Sequence, residues 1–147
     1  MNIISDPNLW GKHFWYTMEA IACTMNQEKK EHVEKVLNEL QYLLPCEKCK
    51  NHYREYMKEN PVSNHLENPI HLLRWMHKLK CNIKYRQDKT CPIFEDYLDY
   101  VVDYFDTPEI YYYLDKEREM EKLKNLVEFD LKKINIFELL GNQYKKY

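Results

Sequence analysis

The sequence predicts an all-α fold, an antiparallel four-helix bundle with a short fifth helix and a C-terminal helical extension. Glycine is rare, with 2 residues among 147, and the apolar residues recur at helical spacing without a strand-like alternation. The connections between the apolar stretches are short, which favours antiparallel neighbours. We expect the bundle domain at residues 1–106 and a charged helical extension at residues 107–147.

Capping residues and prolines set the predicted helix starts. Asp6-Pro7 combines a capping side chain with proline in the first turn, and Asn68-Pro69 repeats that combination. Six helices should begin near residues 7, 28, 46, 69, 92 and 108, and the last should continue to about residue 133. The apolar faces of the first, second, fourth and fifth helices are Trp10, Phe14, Met18, Ile21 and Met25; Val33, Val36, Leu37, Leu40 and Leu44; Leu72, Leu73, Met76, Leu79 and Ile83; and Phe94, Tyr97, Leu98, Val101 and Phe105.

Composition and charge exclude several classes of protein. A net charge of −2 gives no electrostatic reason to expect nucleic acid binding. No stretch approaches about 18 consecutive apolar residues, so no membrane span is expected. Residues 1–9 lack the long apolar core of a signal peptide, which predicts a cytoplasmic location. Five cysteines without a secretion signal indicate a mostly reducing compartment, in which a reactive CxxC pair suits catalysis or metal binding better than a structural bridge.

The strongest chemical signal is the stretch Pro-Cys-Glu-Lys-Cys-Lys-Asn-His at residues 45–52. Proline suits a helix entry, so Cys46 should lie at a helix N-terminus, with Cys49 one turn further on the same side. The positive helix end, Lys48 and Lys50 favour a thiolate, and two cysteines at this spacing can form a disulfide with little motion. This arrangement suits thiol–disulfide exchange, with Cys46 as the more exposed cysteine.

Three other interpretations of this cysteine pair remain open. Two structural cysteines are one, although such residues are rarely paired so closely at a helix start. A zinc site is another, but it needs four ligands, and Cys81 and Cys91 are separated by nine residues instead of two. A thioredoxin-like module would need strands beside the helix that carries the cysteines.

Further elements stand in a fixed order around the cysteine pair. Trp10-Gly11-Lys12-His13-Phe14-Trp15 precedes it, His52-Tyr53 follows it after two residues, and Trp75 and Pro92-Ile93-Phe94 come later. In this order and spacing, they resemble the Erv/ALR family of FAD-linked sulfhydryl oxidases over roughly residues 8–105. The lysine- and asparagine-rich composition suits a member encoded by a large DNA virus, which would act in the host cytoplasm or the virion.

The resemblance implies a function. It implies a FAD-dependent oxidase that forms disulfides in protein thiols and passes electrons through flavin to oxygen, giving hydrogen peroxide. Cys46 and Cys49 would be the catalytic pair, with Cys49 next to the flavin. A protein dithiol or a disulfide-relay protein would be the substrate, and the protein would be a homodimer. The alternatives are a non-enzymatic helical interaction or disulfide-relay protein with a degenerate flavin pocket, or a structural zinc-binding module.

The resemblance also implies which residues contact FAD, while no metal ligand is expected. Trp15 would lie beside the flavin, and Glu19 stands where the family usually has histidine. The predicted contacts are Gly11, Lys12, Trp15, Glu19, His52, Lys80, Asn82, Lys84, Lys89 and Tyr97. Buried aromatic residues, a structural histidine and a solvated lysine face are the simpler interpretations of these residues.

The remaining cysteines have separate predicted roles. The resemblance favours a structural disulfide between Cys81 and Cys91 that ties the fourth helix to the start of the fifth; a relay pair and two buried thiols remain alternatives. Cys23 should be a small buried residue. The charged stretch at residues 115–133 is either a solvated amphipathic helix or an arm that binds a partner.

Overall fold

The computed structural model describes the backbone of residues 3–144 and the side chains of residues 4–135. Within the described residues the chain is all-α and has no strand, which confirms the predicted fold class. The helices are α1 (Pro7–Cys23), α2 (Lys30–Leu43), α3 (Glu47–Glu59), α4 (Pro69–Arg86), α5 (Phe94–Phe105) and α6 (Pro108–Tyr144). Two short 3-10 turns lie at Ile3–Ser5 and Val62–His65.

The helix starts follow the capping residues. Asp6 accepts a hydrogen bond from the Asn8 amide at 3.0 Å, and Asn68 accepts one from the His71 amide at 3.0 Å. These caps confirm the predicted starts of α1 and α4. The prediction for the last helix was too short, because α6 continues to Tyr144 instead of ending near residue 133.

The chain divides into two compact units, Met1–Tyr113 and Leu114–Tyr147. In the first unit, α1 packs against α4, α2 packs against α3, and α5 packs against both α1 and α4. The largest fully buried side chains of this unit include Trp75, Met25, Leu37, Leu66 and Met76. The predicted domain boundary after residue 106 stays a prediction.

Two tyrosines fix α3 within the bundle. The Tyr53 hydroxyl donates a hydrogen bond to the Leu37 carbonyl of α2. The Tyr56 hydroxyl donates to the Trp75 carbonyl of α4 at 2.7 Å, and the Trp75 indole donates to the Asn60 carbonyl at 2.8 Å. Burial raises the pKa of both tyrosines above the usual value, so their hydroxyls remain donors. The helix that carries the cysteine pair is therefore bonded to neighbours on two sides.

The apolar face of α2 is narrower than predicted. Val33, Leu37 and Leu44 are buried, but the Val36 side chain is 49% exposed. Placing Val36 on the buried face was wrong, because a spacing of 3.6 residues per turn turns it about 100° away from Leu37. The buried residues of α2 itself are Val33 and Leu37.

In the second unit, α6 carries apolar side chains on its surface. These exposed residues are Met120, Leu123, Leu126, Val127, Phe129, Leu131 and Ile134. The extension is helical as expected, and its role as a solvated helix or a partner arm stays a prediction. The side chains of its last part, residues 136–147, lie outside the described residues. No helix in the described part of the chain is long and apolar enough to cross a membrane.

Candidate active site

The cysteine pair lies at the N-terminus of α3. Cys46 is the N-cap residue with an extended backbone, φ −122° and ψ 120°, and Cys49 is in the first turn. A disulfide joins them, with their Cα atoms 5.1 Å apart, which is within the usual range. The Cys46 Sγ accepts a hydrogen bond from the Cys49 amide at 3.2 Å. This donor and the positive helix end stabilise a thiolate at Cys46 once the disulfide is reduced.

The relative exposure of the two cysteines differs from our expectation. We predicted Cys46 to be the more exposed, but its side chain is only 9% exposed, whereas Cys49 is half-buried. That prediction was wrong, because the capping conformation turns the Cys46 sulfur back over the first turn of α3. Its chain neighbours Pro45 and Glu47 are exposed.

A cleft of about 390 Å³ adjoins both cysteines. Its volume falls within the range of ligand sites, which is about 300–1,000 Å³. The walls come from α1, α3, α4 and the segment before α3. The lining residues are Pro7, Trp10, Gly11, Phe14, Trp15, Leu44, Cys46, Lys48, Cys49, His52, Tyr53, Leu79, Ile83, Arg86 and Gln87. The structure thus brings Gly11, Trp15 and His52, three of the predicted cofactor contacts, together with the cysteine pair.

Two features of α1 fit a flat aromatic ligand in this cleft. The Trp10 indole N–H is buried and has no hydrogen-bond partner among the described residues. A buried donor of this kind calls for an acceptor, and the cleft is where a ligand would supply one. A Cβ at Gly11 would meet no atom within 4 Å, so the missing side chain keeps space open on the lining. A flavin ring has both the flat shape and the acceptors that this wall requires.

The polar groups of the cleft are mainly basic. Burial, followed by the charges of Arg86 and Lys48, lowers the pKa of His52 below its usual value. His52 is therefore neutral at pH 7. Arg86 donates to Glu55 at 3.2 Å and to Asn82 at 3.1 Å, which holds its guanidinium at the cleft. Lys50 contributes less than we expected, because it pairs with Glu47 at 2.9 Å.

A buried ion pair lies against one wall of the cleft. Glu19 is 4% exposed, and its carboxylate accepts a hydrogen bond from the Lys80 ammonium at 2.9 Å. The Lys80 nitrogen lies 5.2 Å from the ring centroids of both Trp15 and Tyr97. The Tyr97 hydroxyl is buried without a hydrogen-bond partner in the described part of the chain. Lys80 thus contacts both Glu19 and Tyr97, and these three predicted cofactor contacts lie beside Trp15 but not in the cleft lining.

The remaining four predicted contacts also lie outside the cleft lining. Lys12 and Lys89 are exposed, while Asn82 and Lys84 are half-buried on α4. Their contacts to a cofactor stay predictions. Several lining residues were not predicted as site residues, namely Trp10, Phe14, Tyr53, Leu79, Ile83 and Arg86. The available signals were the apolar stripe of α1 and the basic last turn of α4, both of which are also typical of ordinary helices.

The other three cysteines lie outside this cleft. A disulfide joins Cys81 of α4 to Cys91, just before α5, with Cα atoms 5.3 Å apart. Cys23 is the free cysteine of the described residues and is fully buried. Burial, with a smaller effect of Glu19, raises the pKa of Cys23 to about 12, so it stays protonated and unreactive near neutral pH.

The structure combines a helical bundle with a CxxC disulfide beside an aromatic cleft large enough for a ligand. These features place the chain in the class of small helical proteins that carry a CxxC disulfide. The sequence model of the Erv1 / Alr family matches residues 8–98. The chain belongs to this family, which confirms the resemblance found in the sequence.

One similar protein is "Putative FAD-linked sulfhydryl oxidase 096R" of Invertebrate iridescent virus 3. The two chains are 32% identical over 56 residues, which cover 35% of this chain and 38% of the viral protein. The match therefore spans less than half of that relative. No solved structure matches the chain.

Proposed function

We propose that this chain is a FAD-dependent sulfhydryl oxidase that forms disulfides in protein thiols. The observation that carries the proposal is the Cys46–Cys49 disulfide at the wall of the aromatic cleft. Membership of the Erv1 / Alr family and the name of the viral relative support the same function. A CxxC pair that oxidises substrates repeatedly needs an electron acceptor next to it, and the cleft is where one fits.

FAD fits the residues of the cleft. Trp10, Phe14 and Trp15 would hold the ring system, with the Trp10 indole as a donor. Lys48, which lines the cleft together with the Arg86 that pairs with Glu55, would attract the phosphates. When bound, the flavin would accept an electron pair from the Cys46–Cys49 dithiol and pass it to oxygen, yielding hydrogen peroxide.

The residues of α3 perform the exchange with substrate. A substrate thiolate attacks the Cys46 sulfur, breaks the Cys46–Cys49 bond and leaves Cys49 as a thiolate in the cleft. The second substrate thiolate then attacks the substrate sulfur bound to Cys46, so the substrate departs as a disulfide and Cys46 as a thiolate. The Cys49 amide, 3.2 Å from the Cys46 sulfur, stabilises that second thiolate. Neutral His52, which lines the same cleft, can accept a thiol proton.

The substrate and the setting follow from the same proposal. Cys46 itself is only 9% exposed, but Pro45 and Glu47 beside it are exposed, so a protein dithiol or a disulfide-relay protein would have to dock on this surface to reach the sulfur. The viral relative supports a virally encoded protein, and we place its action in the host cytoplasm or the virion as part of the proposal. The family resemblance favours a homodimer.

Flavin content and turnover test the proposal together. Denaturing the purified protein should release about one FAD per chain, and dithiothreitol should be oxidised with one hydrogen peroxide formed per disulfide. Protein that releases only FMN, or no flavin after expression with ample FAD, would refute the cofactor assignment. Bound FAD without peroxide formation would refute the oxidase.

Single cysteine variants test the two sulfur roles. Cys46→Ala should abolish turnover and leave the Cys49 thiolate against oxidised flavin, which gives a broad long-wavelength absorption band. Cys49→Ala should lose both turnover and the band. The matched control is Cys23→Ala, which removes a buried thiol outside the cleft and should keep both flavin and turnover. A band in Cys49→Ala but not in Cys46→Ala would reverse the assignment.

A further inference from the structure

A second group of chemically reactive side chains lies at the junction of α4 and α5. The ligand atoms of His77, Cys81 and Cys91 all lie within 4.8 Å of one another. The His77 Nε2 is 3.3 Å from the Cys81 sulfur and 3.9 Å from the Cys91 sulfur. One imidazole nitrogen therefore faces both sulfurs of the disulfide. Among the residues that the structure describes, this is the group of three or more histidine, cysteine or carboxylate side chains whose ligand atoms are close enough to hold one metal ion.

We propose that this group is a zinc site that forms when the Cys81–Cys91 disulfide is reduced. Its ligands are the His77 Nε2 and the two thiolates, with water in the fourth position. This inference does not depend on flavin or on the Cys46–Cys49 pair.

The nitrogen–sulfur distances already match a tetrahedral zinc site, while the bond between the sulfurs and the 2.7 Å contact of the His77 Nε2 with the Pro92 carbonyl oxygen must both be broken. With Zn–S near 2.3 Å and Zn–N near 2.0 Å, a tetrahedral ion places nitrogen and sulfur about 3.5 Å apart and two sulfurs about 3.8 Å apart. The observed nitrogen–sulfur distances, 3.3 and 3.9 Å, bracket the first value. Breaking the disulfide lets the sulfurs separate to the second value through side-chain rotation.

The ligand set and its surroundings favour zinc. Two thiolates and one imidazole are soft and borderline ligands, which select Zn²⁺ over Mg²⁺ or Ca²⁺. Cys81 is buried, while His77 and Cys91 are half-buried, so the site is shielded but open to an ion from solvent. The His77 ring packs against Phe94 and Tyr97, at centroid distances of 5.6 and 5.1 Å, and these contacts restrict how far the ring can move away from the sulfurs.

Reduction and metal binding balance as two successive steps. A dithiol reductant transfers two electrons and two protons to the Cys81–Cys91 bond and becomes a disulfide itself. Zn²⁺ then replaces the two thiol protons, which pass to solvent. Any oxidant that takes two electrons from the thiolates re-forms the disulfide and releases the ion.

Zinc binding changes which ring nitrogen of His77 carries the proton. In the disulfide form, the Nε2 lies 2.7 Å from the Pro92 carbonyl oxygen, which can only accept, so the Nε2 carries the proton. Zinc needs the Nε2 lone pair. The proton therefore moves to Nδ1, and the hydrogen bond to Pro92 is lost.

A cobalt titration tests the site without reference to oxidase activity. Cys46→Ser/Cys49→Ser protein, in which the other cysteine pair cannot bind metal, is reduced under nitrogen and titrated with Co²⁺. We expect one ion per chain, with a thiolate-to-cobalt charge-transfer band and the visible bands of tetrahedral cobalt, all displaced by one equivalent of Zn²⁺. The same protein with its Cys81–Cys91 disulfide intact should show none of these bands.

Variants on the same background assign the ligands. Cys81→Ser should abolish the charge-transfer band, and His77→Ala should weaken zinc binding by more than the roughly 10–100-fold that loss of a supporting group costs. His71→Ala, which removes another histidine of α4, should leave the titration unchanged. If the alanine variant loses its helical circular dichroism, His77→Gln, which keeps a side chain of similar size, takes its place in the titration. Absence of the bands in reduced protein, or unchanged zinc affinity in both folded His77 variants, would overturn the proposal.

Discussion

The buried Glu19–Lys80 pair should be one of the strongest energetic couplings between α1 and α4. The side chains are 5% and 24% exposed, respectively, and their charged atoms lie 2.9 Å apart. At an effective dielectric constant of about 20, that separation corresponds to an attraction of about 6 kcal/mol, part of which offsets the desolvation of the two groups. Replacing Lys80 with methionine leaves a buried, unpaired carboxylate. We expect the free energy of unfolding to fall by about 3–5 kcal/mol, a large share of the roughly 5–15 kcal/mol of a typical domain.

A double-mutant cycle separates this coupling from other losses. Lys80→Met also removes the contacts of the ammonium with Trp15 and Tyr97, but that loss is common to the single and double variants and cancels in the cycle. Adding Glu19→Gln to Lys80→Met should therefore restore part of the stability, with a coupling energy above about 2 kcal/mol. Urea unfolding of the four proteins at equal flavin content provides the measurement, since a bound ligand adds to stability.

The chain supplies a matched control for this cycle. Glu31 and Lys35 on α2 form the same kind of pair at 3.2 Å, but their side chains are 77% and 67% exposed. The coupling energy of that exposed pair should be only about 0.3–0.5 kcal/mol. A buried pair that couples no more strongly than the exposed one would refute the reasoning.

Three further predictions concern the cleft and the second disulfide. Gly11→Leu should raise the free energy of unfolding of flavin-free protein by about 0.5–1 kcal/mol, because leucine is a better helix former than glycine. The leucine side chain should also fill part of the cleft and lower FAD retention. A thermal melt measures the first effect and a flavin titration the second, and unchanged FAD retention would contradict the placement of FAD. Folding lowers the pKa of His52, so the unfolded chain binds a proton at a higher pH than the folded chain does, and the free energy of unfolding should decrease as the pH falls below about 6.5. Urea unfolding at a series of pH values should show a shallower decrease in His52→Gln than in the unchanged protein. Equal slopes in the two proteins would exclude this contribution of His52. The double variant Cys81→Ser/Cys91→Ser should have a free energy of unfolding lower by about 2–3 kcal/mol and should retain flavin less well. It should still oxidise a small dithiol. Loss of turnover in folded, yellow protein would instead place this cysteine pair in the electron path.

The sequence was sufficient to predict the helices, because their signals are local. The Asp6 and Asn68 side chains bond to amides two or three residues away, and the same short range links Cys46 to Cys49. Prolines and apolar periodicity act over similar distances. The fold class and the place of the cysteine pair could therefore be derived before any tertiary contact was known.

The contacts between helices could not be derived in the same way. Glu19 and Lys80 are 61 residues apart, and their pairing depends on how α1 and α4 rotate against each other. Sequence spacing also hides the His77 cluster, because it combines two residues one turn apart on α4 with a cysteine that follows the helix. Such contacts depend on side-chain packing, which the period of a helix restricts but does not determine.

The two tyrosine bonds that hold α3 have a consequence for how the sequence can vary. Both hydroxyls donate to main-chain carbonyls, those of Leu37 and Trp75, and every amino acid presents such a carbonyl. Substitutions at either acceptor position can change packing, but they cannot delete the acceptor atom. The anchoring of the cysteine helix is thus encoded on α3 itself, in Tyr53 and Tyr56. Over evolutionary time, α2 and α4 can change their side chains at these two points while the disulfide keeps its place beside the cleft.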